Sequence, residues 1–573
     1  HRAGGTTGWS AQRRAGPAPG PERMVVTFPI DVPDSWAGHE HYARRVLWRL
    51  ARQPSLPTLY FQGRWLDGAT LADAVRATAV GLRRAGLTPG GTVAVLTEPN
   101  HPAMLIGRYA AHLLGAAVVQ VRSANPRSDA FPLPAATQAR ILDETGTSVI
   151  LVDAPHLERA RALVSLTGGG PRLLGYGVGA AECPDTLSYR DEPLGELPAH
   201  SPDRRALVAF TSGSSGTPKS IHQTFGVWDS TVRSAASGEP DERRVFLAVT
   251  PLSHTIGAMA DAVLAAGGQV LLHQDFDAPK VLRAFEDHGV TDTYLAVPHL
   301  YRLTELLADA PGHEQPPGSG PVGEALWSLR RVVYSGTPAA PHRIAEALRV
   351  FGPVLVQLYG TTEAGGISNL SPFDHLEPEL LGSVGRPLPW VEVEVREPGT
   401  GDPVPRGESG EIWVRASTVM DGYPNDPEQT ARVLRDGWLD TGDLGRWDRY
   451  GYLRLTGRSG QVIKSGGLKI YPAAVERALL SHPAVRNAAV HGVRDPDRTE
   501  YVHAAVVFRA GRTSTAEELR THVGEQLSPL HAPAEITFWD SMPLNERGKP
   551  DLACLRSGNG RQAYDGAPPK GTP

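Results

Sequence analysis

The 573-residue chain has few cysteines, little net charge and no long apolar run. Its two cysteines, Cys183 and Cys554, have neither disulfide-framework nor zinc-site spacing, which favours a reducing cytoplasm. A formal net charge of −5 argues against nucleic acid as the main partner. The best apolar run, Leu113 to Val121, is interrupted by Gly115 and too short to span a bilayer. We therefore expect a cytoplasmic protein with no membrane or nucleic-acid partner.

The chain is too long for one hydrophobic core, and its pattern changes along the sequence. After Gly63, apolar strand-like segments alternate with amphipathic helices, which predicts an α/β fold. In the first of these helices, one face carries Leu71, Val75, Ala79 and Leu82. From Leu381, the alternation in "VEVEVRE" and "GEIWVRA" indicates half-exposed strands of a β-rich subdomain. A small α+β domain follows. The predicted division is a disordered leader (1–30), a large N-terminal domain (31–457), a C-terminal lid domain (458–557) and a disordered tail (558–573).

One loop, "AFTSGSSGTPKSI" from Ala209 to Ile221, comes close to a phosphate-binding P-loop. It fits the pattern G-x-x-x-x-G-K-S/T except that Pro218 replaces the second glycine. Proline has no N–H and cannot adopt positive φ, so it removes a donor where a P-loop wraps the phosphate. A Ser/Gly-rich surface loop and a different phosphate-binding loop remain the alternatives. The polar and small residues of the loop are Thr211, Ser212, Gly213, Ser214, Ser215, Gly216, Thr217 and Lys219.

Four further stretches follow this loop in order: "QLYGTTEAGG", "DGWLDTGDLGRW", "LTGRSGQVIKSGGLKIYPAAVE" and "PLNERGKPD". Together the five motifs resemble the adenylate-forming superfamily, which includes acyl- and aryl-CoA ligases, luciferases and the adenylation domains of peptide synthetases. The resemblance covers Leu71 to Asp551. It implies that the enzyme uses ATP and Mg²⁺ to convert a carboxylic acid to an acyl-adenylate, releases pyrophosphate, and transfers the acyl group to CoA as a thioester.

The resemblance implies that the loop with Thr211 to Thr217 and Lys219 is the family's own loop for the β- and γ-phosphates of ATP, not a defective P-loop. It also implies roles for single residues. Thr362 is expected to bond the α-phosphate, and Glu363 to hold Mg²⁺, a cation that prefers oxygen ligands. Asp443 and Arg458 are expected to contact the ribose. Lys549 is expected to bridge the substrate carboxylate and the phosphate. The remaining residues expected to bind ATP, with Tyr359 stacked on adenine, are Gly336, Thr337, Pro338, Tyr359, Gly360 and Thr361.

The C-terminal domain is expected to rotate between the two half-reactions, as the resemblance implies. The hinge falls on Gly460, where the family usually has Asp or Lys; glycine turns without φ/ψ strain but offers no side-chain contacts. Lys464, Gly466 and Gly467 are expected to line a channel for the thiol, although a glycine pair is also a common turn.

The stretch "TPLSHTIGAMADAVLAAGG" resembles the turn that borders the acyl pocket. His254 stands where relatives that activate α-amino acids carry Asp, and histidine cannot replace that anion at pH 7. The many small residues suggest room for a bulky aromatic or alicyclic acid, unless the glycines serve only tight turns. The expected pocket residues are His254, Ile256, Gly257, Met259, Ser335, Gly360, Gly365, Gly366 and Ile367.

Three other interpretations remain at this point. A separate carrier protein could replace CoA as the acceptor, since the chain has no carrier segment of its own. A non-catalytic ATP-binding scaffold is disfavoured by the intact Thr362, Glu363, Asp443 and Lys549. A true P-loop NTPase is disfavoured by Pro218.

Overall fold

The N-terminal part of the chain folds into alternating helices and strands in the computed structural model. The structure describes residues 32–122, 132–212, 218–236, 243–253, 255–308, 328–465, 468–494, 500–544 and 550–557, with backbone alone at 211, 212, 218 and 255. The strands of this part are β1 (Pro57–Phe61), β2 (Arg64–Asp67), β3 (Thr92–Leu96), β4 (Ala117–Gln120), β5 (Thr147–Val152), β6 (Arg172–Gly175), β7 (Arg205–Ser212), β8 (Pro218–Thr224), β9 (Val245–Ala248), β10 (Gln269–Leu272), β11 (Asp292–Ala296), β12 (Arg331–Ser335), β13 (Leu355–Thr361), β14 (Gly365–Leu370) and β15 (Arg386–Pro387). The helices are α1 (Tyr42–Arg52), α2 (Gly68–Arg84), α3 (Pro102–Leu113), α4 (Ala135–Glu144), α5 (Leu157–Leu166), α6 (Phe225–Ala235), α7 (Thr255–Ala265), α8 (Ala278–His288), α9 (Val297–Ala308) and α10 (Pro341–Phe351).

These strands form two mainly parallel sheets. One has the order β6-β5-β3-β4-β7-β8, and the other β15-β14-β13-β12-β11-β9-β10-β1-β2. Strand β3 is buried along its whole length, as expected of a strand covered on both faces. The predicted apolar face of α2 is confirmed, because Leu71, Val75, Ala79 and Leu82 are fully buried. The alternation of apolar strands and amphipathic helices therefore predicted the α/β class correctly.

An antiparallel sheet follows and forms the β-rich part of the chain. Its elements are β16 (Glu392–Arg396), β17 (Gly410–Arg415), α11 (Pro427–Val433), β18 (Leu434–Arg435), β19 (Trp438–Trp447) and β20 (Leu453–Arg458). The prediction that β17 is half exposed was wrong, because Ile412, Trp413 and Val414 are all buried. The guanidinium groups of Arg396 and Arg435 lie 4.8 and 5.6 Å from the Trp413 ring centroid and cover it. The start of the β-rich subdomain was also predicted too early in the sequence, at Leu381. Strand β15, which follows Leu381, still pairs with β14 in the preceding sheet.

The C-terminal part is a small α+β unit with its own core, as predicted. Its elements are β21 (Ile463–Ser465), β22 (Leu468–Ile470), α12 (Pro472–Leu480), β23 (Val485–Arg494), β24 (Glu500–Phe508), α13 (Ala516–Gln526), β25 (Glu535–Phe538) and α14 (Leu552–Ser557). Val475, Val490, Val506 and Leu519 meet in this core. The domain boundary near Arg458 stays a prediction. None of the helices in the described ranges has the length and apolarity needed to cross a bilayer.

Candidate functional site

Several predicted nucleotide-binding residues lie at, or directly after, the carboxyl ends of two neighbouring parallel strands. Ser335 ends β12, and Gly336, Thr337 and Pro338 follow it; Tyr359, Gly360 and Thr361 end β13. Strands β12 and β13 pair in parallel, so their carboxyl ends lie at the same edge of the sheet. This edge is where open α/β sheets bind ligands.

The turn after β13 is held in a fixed shape. Thr362, Glu363 and Ala364 form the turn into β14. The Ala364 N–H donates to Thr361 Oγ1 at 3.1 Å, and the Met420 N–H donates to the Glu363 carbonyl at 2.7 Å. A Cβ on Gly360 would lie 2.2 Å from the Gly365 carbonyl oxygen, so only glycine fits there. The backbone therefore positions the two residues expected to bind phosphate and metal.

The carboxylate of Asp443 joins two other predicted residues. The Tyr359 hydroxyl donates to Oδ2 at 2.7 Å, and Arg458 Nε donates to Oδ1 at 2.6 Å. Burial, reinforced by the charge of Asp443, raises the pKa of Tyr359 well above its ordinary value, so the hydroxyl remains a donor. Asp443 in turn raises the pKa of Arg458. Each carboxylate oxygen has a second lone pair, so Asp443 retains capacity to accept from a ligand.

Two residues that sequence reasoning missed complete the site. The Tyr423 hydroxyl donates to Glu363 Oε1 at 3.0 Å. Lys219 Nζ lies 5.6 Å from the Tyr423 ring centroid and 3.5 Å from Asp426 Oδ2. Asp426 caps the N-terminus of α11 by accepting a hydrogen bond from the Gln429 N–H. Aspartate followed by proline is a helix-start signal by which the sequence could have identified this residue. Tyr423 gave no local signal, because a bridge between His222 and Gly422 brings its loop to β8.

The predicted acyl-pocket residues lie in tightly packed surroundings. Ile256 and Met259 are buried in the first turns of α7, and Ile367 is fully buried in β14. A Cβ on Gly257 would lie 2.4 Å from the Leu252 carbonyl oxygen, and one on Gly366 would lie 3.1 Å from Leu388 Cδ1. Gly365 has φ of +72°, which favours glycine. Gly257 and Gly365 therefore meet backbone constraints and Gly366 lies against the Leu388 side chain, while the size of the acyl pocket stays a prediction.

Several predicted residues lie outside what the structure describes. They are Gly213, Ser214, Ser215, Gly216, Thr217, His254, Gly466, Gly467 and Lys549. Thr211 and Ser212 are described by their backbone alone, at the end of β7. Lys464 is exposed, and its N–H donates to Glu500 Oε2 at 2.8 Å.

The predicted hinge glycine lies in a short exposed turn. Gly460 is part of the 3₁₀ turn Ser459–Gln461, and a Cβ added to it would meet nothing within 4 Å. Its φ lies outside the left-handed region. This conformation therefore does not itself require glycine, and the hinge assignment stays a prediction.

Comparison with known proteins agrees with this arrangement. The family described as AMP-binding enzyme matches residues 46–424, and AMP-binding enzyme C-terminal domain matches 474–549. A medium/long-chain-fatty-acid–CoA ligase, FadD8 of Mycobacterium tuberculosis, is 32% identical over 90% of each chain. A feruloyl-CoA synthase of Amycolatopsis is 34% identical over 87% of this chain and 95% of its own. The amide bond synthetase McbA of Marinactinospora thermotolerans is 37% identical with a TM-score of 0.78, covering 91% of this chain and 99% of its own. The chain belongs to the AMP-binding enzyme family, the adenylate-forming superfamily, and is an enzyme of the AMP-forming acid–thiol ligase class.

Proposed function

We propose that the chain activates a bulky aromatic or alicyclic carboxylic acid with ATP and Mg²⁺ and transfers the acyl group to CoA. The observation that carries this proposal is that the Asp443 carboxylate accepts hydrogen bonds from Tyr359 and Arg458. These residues lie beside the hydrogen-bonded turn that contains Glu363. The similarity to a feruloyl-CoA synthase supports an aromatic acid. His254 in place of an ammonium-binding Asp supports the exclusion of α-amino acids.

The proposed reaction is limited by charge repulsion and alignment, so positioned groups supply most of the catalysis. Attack of the substrate carboxylate on the α-phosphate forms the acyl-adenylate and releases pyrophosphate. Asp443 holds the ribose hydroxyls, and Thr362 and Lys219 hold phosphate oxygens. Lys549 offsets negative charge between the carboxylate and the phosphate.

The surroundings of Glu363 fit Mg²⁺. The Tyr423 hydroxyl donates to Oε1 and orients the carboxylate, while no residue in the described ranges donates a hydrogen bond to Oε2. A carboxylate with phosphate oxygens is the usual protein site for Mg²⁺, which neutralises phosphate charge when bound. Glu363 would hold the ion, and Tyr423 would fix the direction of its free oxygen.

Replacement of Glu363 by Gln tests this assignment. Glutamine keeps the size of the side chain but removes the charge, so we expect the Mg²⁺ concentration for half-maximal adenylation to rise about tenfold or more. The control is Asp443→Ala, which should weaken ATP binding through lost ribose contacts and leave the Mg²⁺ requirement unchanged. An unchanged Mg²⁺ requirement in Glu363→Gln means that another residue holds the metal.

The acid specificity is tested by measuring pyrophosphate release with ATP, Mg²⁺ and a panel of acids. Ferulate, benzoate, a cyclohexane carboxylate, octanoate and phenylalanine sample the aromatic, alicyclic, aliphatic and α-amino classes. We expect release with the aromatic or alicyclic acids and none with phenylalanine. Release with phenylalanine alone would contradict the proposed acid class.

An amine is the second candidate acceptor, because the amide bond synthetase shares 37% identity over nearly its whole chain. Mixing the isolated enzyme-bound acyl-adenylate with CoA, a carrier protein or a primary amine separates the candidates. Rapid thioester formation with CoA supports the proposal. Amide formation that outpaces thioester formation at equal acceptor concentration would replace CoA by an amine.

A further inference from the structure

Two histidines and one aspartate form a cluster whose members do not belong to the nucleotide site. His41 precedes α1, His200 lies in the connection between β6 and β7, and Asp229 lies on α6. His41 Nδ1 is 3.5 Å from Asp229 Oδ1, and His200 Nε2 is 3.3 Å from Asp229 Oδ2. All three residues offer ligand atoms within 4.8 Å of one another. Three segments that are distant in sequence thus present metal-binding atoms to one point.

The surrounding hydrogen bonds determine which atoms face this point. His41 Nε2 lies 3.2 Å from the His112 carbonyl oxygen, which can only accept, so Nε2 carries a hydrogen. In the neutral ring, Nδ1 then directs a lone pair toward Asp229. The Tyr42 N–H donates to Asp229 Oδ1 at 2.8 Å. Asp229 Oδ2 is buried and accepts no hydrogen bond of good geometry from the described residues.

Two acceptors that face each other in a buried place need a proton or a cation between them, because their lone pairs repel. The side chains of His41 and Asp229 are each only 3% exposed, so bulk water does not screen them. His200 Nε2 lies 3.3 Å from Asp229 Oδ2, which has no other partner among the described residues. A proton on the histidines or a bound cation would satisfy the Asp229 carboxylate.

We propose that His41, His200 and Asp229 bind one Zn²⁺ or a similar borderline divalent cation. Tetrahedral zinc with bonds of about 2.0–2.1 Å places its nitrogen and oxygen ligands about 3.3 Å apart. The separations of 3.5 Å for His41 and 3.3 Å for His200 are close to this value, and each runs to a different oxygen of Asp229. Imidazole and carboxylate suit such cations. Water completes the site, since the His200 side chain is 12% exposed.

The site needs one local movement to close. The rings of His41 and His200 stack with centroids 4.7 Å apart, so His200 must tilt out of the stack to direct its lone pair at the metal. His200 lies outside helices and strands, which permits this. His41 is already oriented by the His112 carbonyl, as ligating histidines usually are by a second group. The bound ion would join α1, the β6–β7 connection and α6.

The test is zinc binding by the full-length chain after treatment with a chelator and removal of that chelator. ZnCl₂ is titrated in competition with a chromophoric chelator, and the thermal unfolding midpoint is recorded with and without zinc. We expect one high-affinity equivalent per chain and a raised midpoint, because a ligand that binds only the folded state stabilises it. Co²⁺ in place of zinc should give the absorption bands of a tetrahedral site.

His200→Ala is the decisive variant, because His200 lies at the rim and its loss leaves the helix contacts of Asp229 in place. We expect it to weaken zinc binding by about tenfold or more and to abolish the zinc-dependent midpoint shift. Asp229→Asn should do the same if it folds. His531→Ala, which replaces another partly exposed histidine at the end of the 3₁₀ turn Pro529–His531, is the control and should bind zinc as the parent does. Absence of a high-affinity equivalent in the parent, or equal affinity in His200→Ala, would overturn the proposal.

Discussion

Replacement of Lys549 by Ala is expected to slow acyl-adenylate formation by about 10² or more, the loss typical of one positioned transition-state donor. Thioester formation from supplied acyl-adenylate and CoA should continue at the parental rate. The reason is the proposed domain rotation, which withdraws Lys549 from the site after the first half-reaction. Single-turnover measurements of acyl-adenylate formation and of thioester formation, made separately, test both expectations.

Two controls sharpen this experiment. Lys280→Ala removes a lysine whose side chain is 57% exposed on α8, and it should change neither half-reaction. Gly467→Leu should give the opposite pattern, with normal pyrophosphate release and blocked thioester formation, because a leucine side chain would fill the proposed thiol channel. Equal loss of both half-reactions in Lys549→Ala would contradict the assigned role.

Replacement of Asp261 by Ala is expected to lower the free energy of unfolding of the N-terminal part by about 3–5 kcal/mol, as for other buried ion pairs that lose one partner. Asp261 Oδ1 lies 2.6 Å from Arg108 Nη2 and accepts from the Tyr109 hydroxyl at 2.7 Å, and both charged side chains are buried. Burial lowers the pKa of Arg108, but Asp261 outweighs this and holds it above its ordinary value. The variant therefore leaves a buried, unpaired guanidinium.

This loss should also affect the proposed acyl pocket, because Arg108 donates to the carbonyl oxygens of Leu252 and Gly257 at 3.2 and 3.3 Å. Denaturant unfolding of the full chain, followed by the fluorescence of its tryptophans, measures the change. Glu392→Ala breaks the exposed pair with Arg415 and is the control, for which little change is expected. Replacing both Arg108 and Asp261 by apolar residues should recover part of the stability. A small effect of Asp261→Ala would show that the guanidinium reaches water.

Local patterns predicted the parts of the fold whose burial depends on one element and its neighbours. The face of α2 that carries Leu71 and Val75 follows from helical spacing, and it is buried as expected. Burial of Trp413 did not follow, because it depends on Arg396 and Arg435 reaching across its ring. Arginine side chains cover apolar surface in a way that binary patterns do not record.

The same distinction applies to the site. Asp443, Tyr359 and Arg458 belong to motifs that could be read in order along the sequence, and the structure brings their side chains together. Tyr423 reaches Glu363 only because the loop at Gly422 crosses to β8, a contact set by tertiary structure. The close backbone contact of Gly360 likewise appears only once β13 and β14 are paired. Contacts between residues that are distant in sequence or on paired strands therefore account for the features of the site that the sequence did not reveal.

The most direct test of the proposed chemistry is exchange of labelled pyrophosphate into ATP, measured without CoA and with one aromatic acid at a time. Formation of an enzyme-bound acyl-adenylate is reversible, so we expect exchange that requires the acid and Mg²⁺ and that falls by about 10² or more in Lys549→Ala. Acid-independent exchange, or cleavage of ATP to ADP and phosphate in place of exchange, would contradict the assignment of this site to acyl-adenylate formation.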